Sequence, residues 1–347
     1  METVFTKLMN IRHPIVLAPM AGGPSSPALA AAVSNEGGLG FLGGNYLAPT
    51  ALREEIQKTK QLTTKPFGVN LFVPSYPASP TAREMQEMLD FTNELRRKLG
   101  INPLSDVPPT KDNFAEQVQI ILEEKPAAFS FVFGSLSESI IQKFKDHGIK
   151  VIGTASSFDE ASQLQDAGVD AICLQGFEGG GHRGVFPTNP DQELPLRTLL
   201  ESILGKIRLP LIAAGGLMTG QDIKDVLNRG ASAAQLGTAF LLAKEAGTSK
   251  PYREALLSKN RQTEITTAFS GRRARGLVNH YMKEFKAKQK NPLPFPIQNT
   301  LTGDIRRKAT EMGISDFISL WAGTHVTEIR PMDAHELMQT LVREMES

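Results

Sequence analysis

The sequence of 347 residues has a single cysteine, almost no excess of charge and no long apolar run. Because Cys173 has no second cysteine to pair with, an internal disulfide is excluded, which is usual in a reducing compartment. Lysine and arginine number 38 against 37 acidic residues, so the net charge of +1 does not favour nucleic acid or an anionic membrane as a partner. No apolar run approaches the roughly 20 residues that span a bilayer.

Several sequence signals of other protein classes are also missing. Residues 1–10 lack the basic and apolar stretches of a signal peptide, so we expect a cytoplasmic protein. We find neither the G-x-S-x-G motif of serine hydrolases nor a metal-ligand spacing, and we expect no metal. Residues 38–43 match G-x-G-x-x-G, but they follow a predicted helix and themselves cover a strand. A dinucleotide-binding fingerprint follows a strand and begins a helix, so we do not interpret these residues as one.

Short apolar runs alternate with longer amphipathic segments eight times along the chain. Continuous apolar strands of this length are typical of a parallel sheet that is covered on both faces. Eight strand–helix pairs predict an α/β fold of the (β/α)8 TIM-barrel type, although a doubly wound open sheet shows the same alternation. The predicted strands are Ile15–Ala18, Leu39–Leu42, Phe67–Phe72, Phe129–Phe133, Lys150–Gly153, Ala171–Leu174, Leu209–Ala213 and Ala233–Leu236.

Helix starts and two additional segments complete the predicted organisation. Ser135, Ser157 and Thr219 are each followed three residues later by an acidic residue, which predicts capped helix N-termini. Two segments are additional to the eight strand–helix pairs of a minimal barrel: residues 74–113 and the lysine- and arginine-rich residues 250–318. We predict a barrel domain at 1–249, a helical cap segment over the active site at 250–320, and a C-terminal loop and helix at 321–347 that return to the barrel.

Glycines follow the last two predicted strands. Barrel enzymes place their chemistry on the loops at the carboxyl ends of the strands. Gly215 and Gly216 follow the seventh strand, and Gly237 follows the eighth. Glycine pairs at these positions commonly bind a phosphate through backbone N–H groups, so we predict an anion site here. The alternative is that these glycines only form tight turns.

One histidine lies on a loop made mostly of glycine. His182 shares residues 176–184 with five glycines, directly after the sixth predicted strand. Imidazole titrates near neutral pH, so we interpret His182 as an acid/base residue beside a bound cofactor; the alternative is a solvated loop histidine. Cys173 lies within the strand and is expected to be a buried, inert thiol. The arginines of residues 272–275 either clamp an anion or form a solvated basic face.

These motifs together resemble those of the nitronate monooxygenase family, formerly called 2-nitropropane dioxygenases. The similarity extends over nearly the whole chain. One departure is Gly179, because the family often has alanine before the two glycines and the histidine. The motifs that carry the resemblance are Ala18-Pro-Met-Ala-Gly-Gly23, Phe67-Gly-Val-Asn70, Gly176-Phe-Glu-Gly-Gly-Gly-His-Arg-Gly184, Ala213-Ala-Gly-Gly216 and Gln235-Leu-Gly-Thr238.

The resemblance implies non-covalent FMN at the top of the barrel and an oxidation of alkyl nitronates by O2 to carbonyl compounds and nitrite. It implies that Asn70 and Gln175 form hydrogen bonds with the flavin ring. It also implies that His182 is the catalytic base when a neutral nitroalkane is the substrate. It also implies that the ribityl chain and phosphate lie against Gly180, Gly216 and residues 235–238. The full set of expected cofactor-binding residues is Ala18, Pro19, Met20, Asn70, Gln175, Gly180, Gly181, Gly215, Gly216, Gln235, Leu236, Gly237 and Thr238.

Two other functions stay open at this stage. An FMN-dependent enoyl-acyl-carrier-protein reductase would share the barrel and the Gly-Gly-His loop, but it would need NAD(P)H. Such reductases usually have a Gln-Gly-Gly-Met-type sequence where this chain has Ala18–Gly23. A non-catalytic flavin-binding protein is the third possibility, although it would have no use for His182. The sequence does not decide the natural substrate or whether the chain forms a homodimer.

Overall fold

The computed structural model describes residues 2–347 and contains a closed parallel barrel with an additional small antiparallel sheet. Strands β1–β6, β8 and β9 form the barrel in the order β1-β9-β8-β6-β5-β4-β3-β2. Leu39 closes it, because its N–H donates to Ile15 O and its carbonyl accepts from Leu17 N, both at 2.9 Å. The strands are β1 Ile15–Leu17, β2 Gly40–Gly43, β3 Phe67–Phe72, β4 Ala128–Val132, β5 Lys150–Ala155, β6 Ala171–Gln175, β7 Gly181–His182, β8 Leu211–Ala214, β9 Ala233–Leu236, β10 Thr263–Thr266 and β11 Ala274–Leu277.

Helices surround the barrel and form most of the two additional segments. Thr219 begins its helix with the predicted capping box, and Ser157 accepts a hydrogen bond from Glu160 N. The prediction at Ser135 was two residues early, because Ser137 is the N-cap residue of that helix. The helices are α1 Val4–Met9, α2 Pro27–Asn35, α3 Pro49–Leu62, α4 Ala82–Lys98, α5 Phe114–Glu124, α6 Glu138–Asp146, α7 Phe158–Asp166, α8 Leu196–Ile203, α9 Gly220–Asn228, α10 Lys250–Leu257, α11 His280–Ala287, α12 Ile297–Leu301, α13 Gly303–Glu311 and α14 Ala334–Glu346.

The last helix completes the ring of helices around the barrel. Helix α14 packs against α9 and α2, which follow the seventh and first barrel strands. The eighth strand–helix pair is therefore β9 and α14, and residues 237–333 are inserted between them. This insertion contains α10–α13, but it also contains β10 and β11, so the segment predicted as a helical cap is partly a β-hairpin.

The other additional segment packs on the insertion. Arg96 of α4 is fully buried and forms a bidentate ion pair with Asp304 of α13, with N···O distances of 2.9 and 3.0 Å. Phe91 of α4 stacks on Tyr281 of α11 with ring centroids 6.0 Å apart. These contacts join the segment after β3 to the segment after β9. In residues 2–347, we find no helix long and apolar enough to cross a membrane.

Helix α1 closes the amino-terminal end of the barrel. Phe5 and Met9 pack with inward-facing residues such as Val16, Phe41 and Ile152 in one buried cluster. Outward-facing strand residues pack instead with the surrounding helices, because side chains alternate between the two faces of a strand. The amino-terminal half of the barrel interior is therefore filled by side chains, and only the carboxyl-terminal half is open.

We predict that Phe5→Ala destabilises the protein by about 3–5 kcal/mol, the usual cost of deleting a buried phenyl ring. Phe5 has no exposed surface, whereas the neighbouring Val4 is 65% exposed. Val4→Ala is therefore the matched control and should change the free energy of unfolding by less than about 0.5 kcal/mol. Denaturant unfolding would measure both variants. Equal stability of the two variants would show that α1 does not close the barrel.

Candidate active site

A cavity of about 680 Å³ opens at the carboxyl ends of the barrel strands. Residues that face the barrel interior there are small or polar, including Ser130, Thr154 and Ala214, so they leave space above the filled amino-terminal half. The predicted residues on its wall are Ala18, Pro19, Met20, Asn70, Gln175, Gly180, Gly181, His182, Gly215, Gly216, Gln235, Gly237 and Thr238.

Leu236 differs from the other predicted residues, because its side chain does not reach the cavity. It is 1% exposed and belongs to the core between the strands and the helices. Its neighbour Gln235 faces the barrel interior, so the alternation of the strand turns Leu236 outward. Only the backbone of Leu236 is available near the site, and its carbonyl accepts a hydrogen bond from Ala18 N at 2.8 Å.

Glycines form one side of the cavity with their backbone. Gly215 and Gly216 have φ values of +118° and +74°, a conformation that favours glycine. At Gly180, a β-carbon would lie 2.6 Å from Ala322 C and from Gly323 N, so the loop after β6 touches the insertion backbone there. We call Gly180, Gly215, Gly216 and Gly237 the glycine cradle. It presents backbone without side chains, as anion-binding turns do.

Polar side chains around the cradle are partly engaged and partly free. Thr238 Oγ1 accepts from Gly323 N at 3.0 Å, and His325 Nδ1 donates to Gly216 O at 2.7 Å, since a carbonyl only accepts. Thr248 also lines the cavity, and its buried hydroxyl has no hydrogen-bond partner among residues 2–347. Such a group is costly to bury unless something binds it. The cavity therefore has unused hydrogen-bonding capacity.

Two amides lie deeper in the cavity. Asn70 Nδ2 donates to Ser130 Oγ at 2.8 Å, which leaves Asn70 Oδ1 without a partner in the described part of the chain. Gln175 Nε2 donates to His182 O at 2.9 Å, and its Oε1 accepts from Gly184 N at 2.7 Å. Gln175 therefore holds the histidine loop in shape in addition to lining the cavity.

Strand β7 fixes the position of His182. It pairs antiparallel with β11, so that His182 lies opposite Ala274 and Gly181 opposite Arg275. Arg183 N extends this pairing by donating to Arg273 O at 2.8 Å. The insertion thus holds the glycine loop as an additional strand, which the sequence did not predict.

Aromatic rings surround the imidazole of His182. The rings of Phe72, Phe133, Phe295 and Trp321 lie with centroids 5.4–6.2 Å from it. His182 Nε2 is 2.8 Å from Oγ of Ser270, a residue in the turn between β10 and β11.

The contacts of Ser270 indicate the tautomer of His182. Ser270 Oγ also lies 3.2 Å from Arg272 O, and a carbonyl can only accept, so this contact uses the hydroxyl hydrogen. The hydroxyl oxygen then accepts from His182 Nε2–H. The lone pair of the neutral ring is on Nδ1, which has no hydrogen-bond partner among the described residues.

The environment keeps His182 neutral. Burial, with a further effect of the positive charges of Arg272 and Arg306, lowers the pKa of His182 from 6.5 to about 3. An uncharged ring at neutral pH has a lone pair free to accept a hydrogen bond, although the lowered pKa makes it a weaker base than an ordinary imidazole.

The arginines of residues 272–275 do not line the cavity. Arg272 donates to the carbonyls of Arg183 and Val185, and its guanidinium lies 3.8 Å from the centroid of the Phe133 ring. Arg273 forms ion pairs with Asp191 and Glu193. Arg275 donates to Phe177 O. These side chains stabilise the glycine loop instead of clamping an anion.

Sequence reasoning missed Arg306 on the cavity wall. It also missed Ser270 and the aromatic side chains that contact His182, which come from distant segments of the chain. The basic character of residues 250–318 was a signal for Arg306, but it could not show which arginine points inward. No group of three or more metal-binding side chains occurs in residues 2–347.

We predict that His182 does not take up a proton between pH 8 and about pH 5. Long-range ¹H–¹⁵N NMR spectra would follow both ring nitrogens. His335 is an internal comparison, because its hydrogen bond to Glu36 raises its pKa above 6.5 and it should be protonated over much of that range. Protonation of His182 near pH 6.5 would contradict the geometry described here.

The same pKa has a consequence for stability. Between pH 6.5 and about 3 the unfolded chain binds a proton at His182 that the folded chain does not. The contribution of a neutral His182 is thus fully present above pH 6.5 and is lost as the pH falls toward 3.

Comparisons with known proteins agree with the fold. The nitronate monooxygenase family model matches residues 2–344. The chain is 36% identical over 346 residues to the probable nitronate monooxygenase of Bacillus subtilis, which covers 98% of both chains. It resembles the structure of nitroalkane oxidase from Streptomyces ansochromogenes with a TM-score of 0.92 and 34% identity, over 99% of this chain and 97% of that one. FabK from Thermotoga maritima is similar with a TM-score of 0.77 and 27% identity, over 100% of this chain and 96% of that one.

The chain therefore belongs to the nitronate monooxygenase family and is an oxidoreductase of this flavin-dependent family.

Proposed function

We propose that the protein binds FMN and uses O2 to oxidise alkyl nitronates to carbonyl compounds and nitrite. The observation that carries the proposal is that a neutral His182 and the glycine cradle line one cavity. The family membership supports a flavin-dependent oxidation; FMN, O2 and the nitronate substrate are what the family resemblance implies, and the residues of the cavity wall are compatible with them.

The residues present fit FMN. Backbone N–H groups of the glycine cradle suit a phosphate, and Thr238 adds a hydroxyl beside them. Asn70 Oδ1 is a free acceptor for a ring N–H, and the unpartnered hydroxyl of Thr248 is a further polar contact. A β-carbon at Gly180 would meet the backbone of Ala322 and Gly323, so only glycine lets the loop after β6 pack on the insertion at the edge of the cavity. When bound, the flavin would supply the electron transfer that side chains cannot.

His182 has two roles in this proposal. With a nitronate, Nδ1 of the neutral ring carries no proton that could be returned to the carbanion-like carbon. With a neutral nitroalkane, the α C–H bond breaks and its electron pair forms the C=N bond of the nitronate, while the π pair of one N=O bond moves to oxygen and the proton goes to His182 Nδ1. Because the pKa of His182 is lowered to about 3, this second role is disfavoured and nitronates are the better substrates.

The aromatic rings around His182 shield part of the imidazole from water. Phe72, Phe133 and Trp321 pack around the ring, which is half-buried because it lines the cavity. A low-dielectric surrounding strengthens hydrogen bonds and charge interactions at the substrate.

We expect the purified protein to be yellow, to release FMN on heating, and to produce nitrite from ethyl nitronate in air without consuming NAD(P)H. Chromatography of the released flavin and colorimetric nitrite assays would measure this. The enoyl-reductase alternative predicts instead that NAD(P)H is consumed with an enoyl thioester and that no nitrite forms. The alternative of a non-catalytic flavin-binding protein predicts a yellow protein with neither activity.

We predict that His182→Asn lowers the turnover of nitroethane by roughly 10²–10⁴-fold, the usual contribution of a general base. Ethyl nitronate needs no proton abstraction, so its turnover should fall much less. Steady-state nitrite assays on flavin-loaded protein would measure both. His335→Asn is the matched control, since that histidine is exposed on α14 and bonds only surface groups. Unchanged nitroethane turnover in His182→Asn with the flavin retained would exclude His182 as the base.

A further inference from the structure

One guanidinium on the cavity wall has no carboxylate partner. Arg306 of α13 lines the cavity, and it forms no ion pair within the described residues. Its Nη2 donates to Asn299 O at 2.7 Å and to Asn299 Oδ1 at 2.9 Å, and its Nε lies 3.4 Å from Thr302 O. Nη1 has no partner among residues 2–347. The guanidinium is held in place with one edge unused.

The nearest acidic group on the same helix is already occupied. Asp304 forms the bidentate ion pair with Arg96, which uses both carboxylate oxygens. Arg183, another arginine near the site, likewise has its own carboxylate, Asp191, at 3.1 Å. Arg306 has no such partner, and its removal from water lowers its pKa. Even partial burial of a cation without a counter-charge is costly, so a bound anion would stabilise this half-buried group.

Arg306 lies close enough to His182 for its charge to contribute to the lowered pKa of the imidazole. Tyr46 and Thr300 line the cavity as well. The wall near His182 therefore combines one fixed positive charge with neutral polar and aromatic groups.

We propose that Arg306 is an anion-binding residue whose free Nη1 donates to a planar monoanion, which in the proposed reaction is the nitronate group of the substrate. Nη1 carries two N–H donors, and hydrogen bonds from a guanidinium to an anion are stronger than those between neutral groups. The inference rests on the proposed function for the identity of the anion, but not for the existence of the anion site. It makes Arg306 the residue that distinguishes an anionic nitronate from its neutral nitroalkane.

Sodium nitrate is a suitable probe, because it is a planar monoanion that is not turned over by the proposed reaction. Titration of the flavin-loaded protein, followed by flavin absorbance, should give saturable binding that Arg306→Gln weakens by roughly 10–100-fold, the typical contribution of a hydrogen bond to a charged group. Arg306→Lys keeps the positive charge without the planar guanidinium, so its affinity for nitrate should lie between those of the wild-type protein and Arg306→Gln. Lys308→Gln is the matched control, since it removes one charge from the same helix at a side chain 42% exposed and paired only with Glu311.

Steady-state kinetics provide a second readout. In Arg306→Gln, the KM for ethyl nitronate should rise by a similar factor, while the KM for neutral nitroethane should stay within about twofold. Thermal melting and flavin content would establish that each variant is folded and loaded.

Three results would overturn the proposal. They are saturable nitrate binding that Arg306→Gln leaves within twofold, an equal loss in Lys308→Gln, or no nitrate binding to the wild-type protein. The nitrate titration needs no turnover, so it can support the anion site even if nitrite is never produced. Conversely, nitrite production with unchanged nitrate binding would support the proposed function and reject the role of Arg306.

Discussion

The antiparallel pairing of β7 with β11 is the interaction on which the candidate active site depends. A loop with five glycines has little reason of its own to hold one conformation, because glycine loses more backbone freedom on ordering than any other residue. Main-chain hydrogen bonds to the insertion supply that order and place His182 opposite Ala274. The same hairpin provides Ser270, which occupies one ring nitrogen. Position and tautomer of the imidazole thus have a common origin outside the barrel.

The barrel itself is divided between stability and function. Its amino-terminal half is filled by apolar side chains and by α1, whereas its carboxyl-terminal half has small and polar residues that leave a cavity. Cys173 lies at the boundary: it is buried, its thiol has a pKa raised to about 12 by burial, and it touches the cavity floor as an inert group. The glycine cradle and the imidazole occupy different parts of one opening, and the proposed function assigns an anion held by backbone to the first and chemistry at a side chain to the second.

The sequence predicted the parts of this arrangement that depend on local pattern. Apolar runs predicted the barrel strands to within a few residues, and strand-end glycines predicted which loops line the cavity. The side chain of Leu236 lies outside the cavity although its neighbours in the motif line it, because alternation in β9 turns every second side chain outward. The β7–β11 pairing, Ser270 and Arg306 could not be predicted, because each depends on contacts across about 90 residues or more. A two-residue strand also carries no periodicity that could reveal it.

The place of α14 has a consequence for how the barrel is protected from water. The groove between α9 and α2 is filled by a helix that lies more than 100 residues from either of them in sequence. Until residues 334–346 dock there, an apolar seam of the barrel faces water, and chains with such seams tend to associate wrongly. The pairing of these remote segments therefore guards the barrel against aggregation.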